Sequence, residues 1–196
     1  TYEANPILRP AKLEFRTEFI EEAVWEDLDG DAIVNSAGER FAEPLMVQRP
    51  MAVFVVRKNF LTFSALNAMN YVGKINSDQF LSCPAGTCRI MGIEAIEAEE
   101  TIEDPTTGVQ TLVTYAAATV TVHAREDGWA SRVLDQGTYQ VVSGERRMFF
   151  DNKTGVPTSQ VRPLDGAGVE LAVGADPVFL DFDLYDEMNF ADLGLF

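Results

Sequence analysis

Arg89-Ile90-Met91-Gly92-Ile93-Glu94-Ala95-Ile96-Glu97-Ala98-Glu99-Glu100-Thr101-Ile102 leads through Glu103 and Asp104-Pro105-Thr106-Thr107-Gly108 into Val109-Gln110-Thr111-Leu112-Val113-Thr114-Tyr115-Ala116-Ala117-Ala118-Thr119-Val120-Thr121-Val122-His123-Ala124-Arg125. The second arm alternates with a period of two. Leu112, Thr114, Ala116, Ala118, Val120 and Val122 share one face, and Val113, Tyr115, Ala117, Thr119, Thr121 and His123 share the other. β-Branched residues suit a pleated strand, and Asp, Pro, Thr and Gly between the arms are turn formers, so the pattern predicts a long hairpin. Many side chains on its second arm are small, which calls for something packed closely against it.

Further strands flank that hairpin. Leu13, Phe15, Thr17 and Phe19 alternate with Lys12, Glu14, Arg16 and Glu18, which predicts a strand with one wet face. A second strand starts at Ala23-Val24-Trp25, a tight turn follows at Asp27–Asp31, Ala32-Ile33-Val34 returns, and Asn35-Ser36-Ala37-Gly38 turns again. Met51 to Val56 is apolar on both faces and reads as buried. Ser64 is a natural N-cap, Leu66, Met69 and Val72 follow helical spacing, and Gly73 and Asn76 mark an end, which predicts a helix over about 64–76. Met148-Phe149-Phe150 and Val178 to Tyr185 supply later strands, while 151–155 and 165–174 read as exposed loops. Pro6 and Pro10 make residues 1–10 an extended arm, and residues 188–196 form an apolar tail. The expected fold is a single mainly-β domain over 1–196. It is an antiparallel sandwich or barrel with one packed α-helix.

Composition narrows the function. In 196 residues there are 31 acids against 15 Lys and Arg, a net charge of −16. That balance argues against a sequence-specific nucleic-acid partner, which needs cations on phosphates, and against an anionic membrane surface. No apolar run approaches the roughly 20 residues of a membrane span, and the opening Thr1–Asn5 lacks the apolar stretch of a signal peptide. An acidic surface also fits a salt-rich habitat.

Each candidate site has a plain alternative. Asp27-x-Asp29-x-Asp31, with Asn35 and Glu39 beyond, offers alternating oxygens to Ca²⁺. The calcium-loop pattern wants Gly where Ala32 stands and Glu where Gly38 stands, so the main expectation here is a solvated turn, with no resident metal or cofactor. Cys83 and Cys88 are too few for zinc and too far apart for a redox pair at the usual spacing; the readings are two reduced thiols or one local disulfide, the former favoured. His123, beside Arg125, Glu126 and Asp127, has no nucleophile signature to serve. A small hydrolase using His123 and carboxylates such as Asp181 with Asp183, or Asp186 with Glu187, is the weakest of the functional readings. Gly166, Gly168 and Gly174 form no phosphate loop. The tail residues Phe190, Leu193, Leu195 and Phe196 either fold back on their own core or dock into a neighbouring subunit, and Pro6, Ile7 and Leu8 in the other arm allow the same two readings.

Four strings taken together carry a resemblance. They are Asn5-Pro6-Ile7-Leu8-Arg9-Pro10; Asn35-Ser36-Ala37-Gly38 with Phe41; Asp127-Gly128-Trp129 with Val133-Leu134-Asp135-Gln136-Gly137; and Leu164-Asp165-Gly166-Ala167-Gly168 leading to Asp176-Pro177-Val178-Phe179-Leu180. In order and spacing the chain resembles a family of virion structural proteins of about this length encoded in tailed-phage and prophage genomes. The motifs read as turns and packing positions. The chain is short relative to that pattern near Thr138 to Arg146. The resemblance implies a non-enzymatic assembly protein located in the virion and assembled in the host cytoplasm. Its expected form is a ring-forming homo-oligomer in the tail or neck, a head–tail connector, terminator or tube-associated part that contacts other virion proteins. Baseplate, decoration and receptor-binding modules are the alternatives, Ca²⁺-stabilised if the Asp27 loop binds. An acidic lumen would let DNA pass without adhering.

Overall fold

The computed structural model describes residues 5–36, 41 and 43–196. Among them the strands are β1 (Lys12–Val24), β2 (Leu45–Phe60), β3 (Ile75–Asn76), β4 (Cys88–Glu103), β5 (Gln110–Ala124), β6 (Ser131–Leu134), β7 (Gln136–Gly137), β8 (Tyr139–Val142), β9 (Glu145–Met148), β10 (Arg162–Pro163), β11 (Phe179–Phe182) and β12 (Glu187–Met188). One short helix, α1 (Ala65–Met69), and 3₁₀ turns at Pro6–Leu8 and Phe190–Leu193 complete the set. The protein is mainly β, as its patterning predicts.

β4 and β5 are the predicted hairpin, antiparallel from Cys88↔Ala124 to Glu103↔Gln110 with one bulge between Ile90 and Gly92. The Asp104 carboxylate closes its turn by accepting the N–H groups of Thr106 (2.7 Å) and Thr107 (3.1 Å). The six-stranded sheet has the order β1-β2-β5-β4-β3-β12, and its β12–β3 pair is parallel. β2 lies along β5 only from Ala52↔Ala124 to Phe60↔Ala116. Beyond that point β4 and β5 continue as a bare two-stranded ribbon.

The expected single domain divides into two compact units. Unit 1 holds 1–20, 50–129 and 183–196, and unit 2 holds 21–49 and 130–182. Two of the four divisions, at 20/21 and 49/50, fall inside β1 and β2, where no linker composition announces them. In unit 1 the sheet has a core on each face. Val56, Ile90, Val120 and Val122 pack with Tyr71, Phe80, Phe190 and Leu195, while Met51, Val53 and Val55 pack with Ile20 and Trp129. Two-sided cover explains why Met51 to Val56 is apolar throughout. Unit 2 contains three two-stranded ribbons, β6–β11, β7–β10 and β8–β9, with Phe149 and Leu134 buried.

Several elements differ from expectation. The strand expected to start at Ala23 is the end of one continuous β1, which stops at Val24. The helix expected over 64–76 stops at Met69. Ser64 does cap it, accepting Asn67 N–H at 3.3 Å, but Asn70 N–H then bonds Asn67 O and Tyr71 N–H bonds Ala68 O, tighter turns that lead to Gly73 at φ +84°. Its buried residue is Ala68, and the apolar Leu66 and Met69 face solvent. The Val178 to Tyr185 strand is four residues, Phe179–Phe182. The arm is a 3₁₀ turn at Pro6–Leu8 held on its own chain: Asn59 donates to Pro6 O at 2.9 Å and Arg9 pairs with Glu100.

Candidate functional site

The Asp27–Asp31 segment is a turn organised by its first carboxylate. Asp27 Oδ1 accepts the N–H groups of Asp29 and Asp31, both at 3.0 Å, and Glu26 bridges Ala32. Two backbone donors thus already occupy the oxygen a cation would want first, while Leu28 stands wholly in solvent at the tip. Asn35 is half-buried beyond the turn, and Glu39 lies outside the described residues. Among the described residues no group of three or more His, Cys, Asp or Glu is placed to hold a metal ion, and no helix is long and apolar enough to cross a membrane.

Cys83 and Cys88 are free thiols on either side of a loop built by Asn76. Asn76 is fully buried; its amide donates to Asp78 O (2.6 Å) and Pro84 O (2.8 Å), and its carbonyl accepts Cys88 N–H (2.7 Å). Sequence reading took Asn76 as a helix-end signal and missed this role, since nothing in residue type marks an Asn whose every group finds a partner. The loop also holds Leu81 (φ +50°) and Ser82 (φ +65°) in the left-handed region, within a tight turn where Phe80 and Cys83 exchange backbone bonds at 3.0 and 2.8 Å. Burial pushes the Cys88 thiol up to about 12, and the neighbouring Cys83 thiol adds to the shift. Cys88 is therefore a protonated, inert core residue at neutral pH.

His123 lies on β5, and burial holds its imidazole below the usual range despite the opposing pull of Glu18. Its charged surroundings are Glu18, Arg16 and Arg89, with no nucleophile among them. The carboxylate pairs are likewise engaged in surface contacts. Asp181 faces Arg132 across β11–β6 at 3.9 Å, and Asp186 bonds Lys74 at 3.2 Å.

The strings that carry the resemblance occupy turns. Gly128, at φ +74°, sits so close to Gly86 that a Cβ there would meet its carbonyl oxygen at 3.3 Å. That closeness seats Trp129, which donates to Thr87 O at 2.9 Å and with Tyr185 encloses the Arg89 guanidinium, 3.8 Å from the tyrosine ring. In unit 2, Asp135 accepts Gly166 N–H at 2.9 Å, Leu164 N–H bonds Asp135 O, and Asp135 N–H bonds Val178 O. Two distant strings are thereby tied into one knot. Gly168 (φ +84°) would put a Cβ 2.9 Å from Val141, so only glycine fits.

The subunit-interface candidates divide. Phe190, Leu195 and Pro6 are buried in their own chain, and Leu193 packs beside that core. Ile7 is half-buried, Leu8 is exposed, and Phe196 is exposed while its ring centroid lies 6.2 Å from that of Phe80. Further apolar exposure in unit 1 lies along strands. On β1 the face opposite the charged one is also largely exposed, with Phe15 62% and Phe19 69% exposed and Leu13 alongside; on the β4–β5 hairpin Ile96 and Leu112 are exposed.

Compared with protein-family models, with curated proteins and with solved structures, the chain matches none. Fold and surface together describe a mainly-β protein with glycine-tied turns and, in unit 1, several large apolar side chains exposed along strands.

Proposed function

We propose that the chain is a non-enzymatic assembly protein of a tailed-phage virion, a ring component of the tail or neck. The observation that carries this reading is the ribbon of β4 and β5 beyond Phe60↔Ala116. A two-stranded ribbon is marginal in water, and this one presents Leu112 uncovered, with Val109 exposed in its turn. Such a ribbon gains its cover when subunits join. The order of the turn strings supports the phage assignment, and head-to-tail contacts of one chain close naturally into rings.

Light scattering and native mass measurement on the purified chain, with and without chelator, test it. The expected result is a closed ring or a ladder of ring stacks, unchanged by chelator. A trimer would favour the fibre, decoration or receptor-binding alternative, and a monomer at every concentration would remove the ring reading. Melting by chelator would bring the Ca²⁺-stabilised module forward.

A further inference from the structure

We propose that β1 pairs antiparallel with β1 of a second copy, across a two-fold axis at Phe15, so that two sheets join into one. The contact goes beyond the ring reading. A ring needs head-to-tail contacts, whereas this one uses the same surface on both partners. β1 is the end strand of the six-stranded sheet, and among the described residues no element other than β2 bonds the backbone of 12–20. The outward N–H and C=O groups of that stretch are a template for a further strand.

The two faces of the edge are sorted. Glu14 pairs with Arg57, and Phe15 packs on Phe54 at 5.4 Å between ring centroids. Arg57 and Phe54 lie on opposite faces of β2. Lys12, Glu14, Arg16 and Glu18 therefore share one face of β1, and Leu13, Phe15, Thr17 and Phe19 share the other.

Charge sets the occupant. The first face reads plus, minus, plus, minus, which is its own complement when the strand is turned round. With the axis at Phe15, Lys12 stands opposite Glu18 of the second copy and Glu14 opposite Arg16, each twice by symmetry. The bonds already made stay in place. Arg16 Nε donates to one Glu18 oxygen at 3.0 Å and Arg57 to one Glu14 oxygen, which leaves each carboxylate its second oxygen and Arg16 its two terminal nitrogens. Moving the axis to Glu14 or Arg16 sets like charges against each other. Moving it to Thr17 leaves Glu14 opposite Ile20 and Leu13 opposite Glu21. On the second face the chosen register sets Leu13 opposite Thr17 and brings the two exposed Phe15 rings together at the axis, each backed by its own Phe54. The other strand edge, that of β4, has only acids among its charges from Ile93 to Glu103. They answer Lys12 and Arg16 but repel Glu14 and Glu18. A second β1 answers all four.

Charge reversal on the full chain tests this. Lys12→Glu/Arg16→Glu makes the face wholly acidic, and Glu14→Lys/Glu18→Lys makes it wholly basic. By sedimentation the wild type should pair reversibly, alone or within larger assemblies. Each variant by itself should need about tenfold higher concentration, and an equimolar mixture should pair as the wild type does, with unchanged circular dichroism. Phe15→Cys in a Cys83→Ser background reads the register. Mild oxidation should link two copies, while Phe19→Cys, whose sulfurs would stand roughly 26 Å apart, should stay unlinked. A wild-type chain that stays monomeric, a mixture no tighter than either variant alone, or linking through Phe19→Cys in place of Phe15→Cys would each overturn the contact. Rings that form equally well in both variants would overturn it and leave the ring reading standing. Dimers and nothing larger would support it and count against that reading.

Discussion

One hairpin has two halves with opposite surroundings. From Cys88 to Ala95, opposite Ala118 to Ala124, β4 and β5 carry the buried Cys88, Ile90, Val120 and Val122 in a packed core. From Ala98 to Glu103, opposite Gln110 to Tyr115, the same two strands keep the same register with one face exposed and the other, that of Ala98, Glu100, Ile102, Val113 and Tyr115, only half-buried. Backbone bonding is continuous across the boundary, so the ladder alone does not set how firmly each half is held. Burial does, at about 25 cal/mol per Å² of apolar area removed from water.

The difference is broken most strongly at the covered half. Ile90→Ala and Phe190→Ala each empty a fully buried site in the same cluster and should cost about 3–5 kcal/mol by urea unfolding. The Phe190 result also separates two roles for the C-terminal segment. A loss independent of protein concentration is the mark of a residue in its own core, and a loss seen only on assembly would mark a docking residue.

Asn76→Ala comes next. It would orphan the Cys88 N–H and remove the amide donor to Asp78 O and Pro84 O, for about 2–3 kcal/mol in the same measurement. Asn76→Asp should recover little, since a carboxylate accepts from Cys88 and donates to neither carbonyl. Recovery to the wild-type value would show the two donated bonds to be idle.

Cys88 gives a smaller effect with a defined pH window. Its thiol ionises near 9 in the unfolded chain and near about 12 when folded, so the folded state binds more protons between those values. The stability it contributes is complete below pH 9 and is lost as pH rises towards 12. Cys88→Ser should flatten that alkaline decline, and a disulfide reagent at pH 8 should modify Cys83 well before Cys88. Equal reaction rates would mean that the Cys88 site opens to solvent.

How much of this is legible in the sequence depends on what pattern encodes. Alternation from Leu112 to Val122 and the Asp104–Gly108 turn specify the hairpin because period and turn chemistry are local. The same alternation in β1 specifies which side chains share a face and says nothing of whether that face is covered, so a strand read with one wet face leaves Leu13, Phe15 and Phe19 exposed as well. Leu66 and Met69 fail likewise: helical spacing is present, but α1 is too short to bury a stripe. The division into two units is silent at 20/21 and 49/50 because there it falls within β1 and β2. The turn role of Asp27 was readable from its spacing, whereas the Asn76 network depends on Pro84 and Cys88 arriving together in space.

At the bare half the effect on the isolated chain is smallest, and that smallness is the point. Leu112→Ala removes a side chain 60% exposed on a strand with no third neighbour, so dilute stability should stay within about 0.5 kcal/mol of wild type. If the ribbon serves only its own subunit, assembly should be equally indifferent. If it is covered by a neighbour, the same substitution removes apolar contact from the joined state alone, and the concentration for half-assembly should rise several-fold while the urea midpoint of the dilute chain stays put. A matched shift in both would mean that the ribbon is stabilised within its own fold, and the contrast between the two halves would then be one of degree.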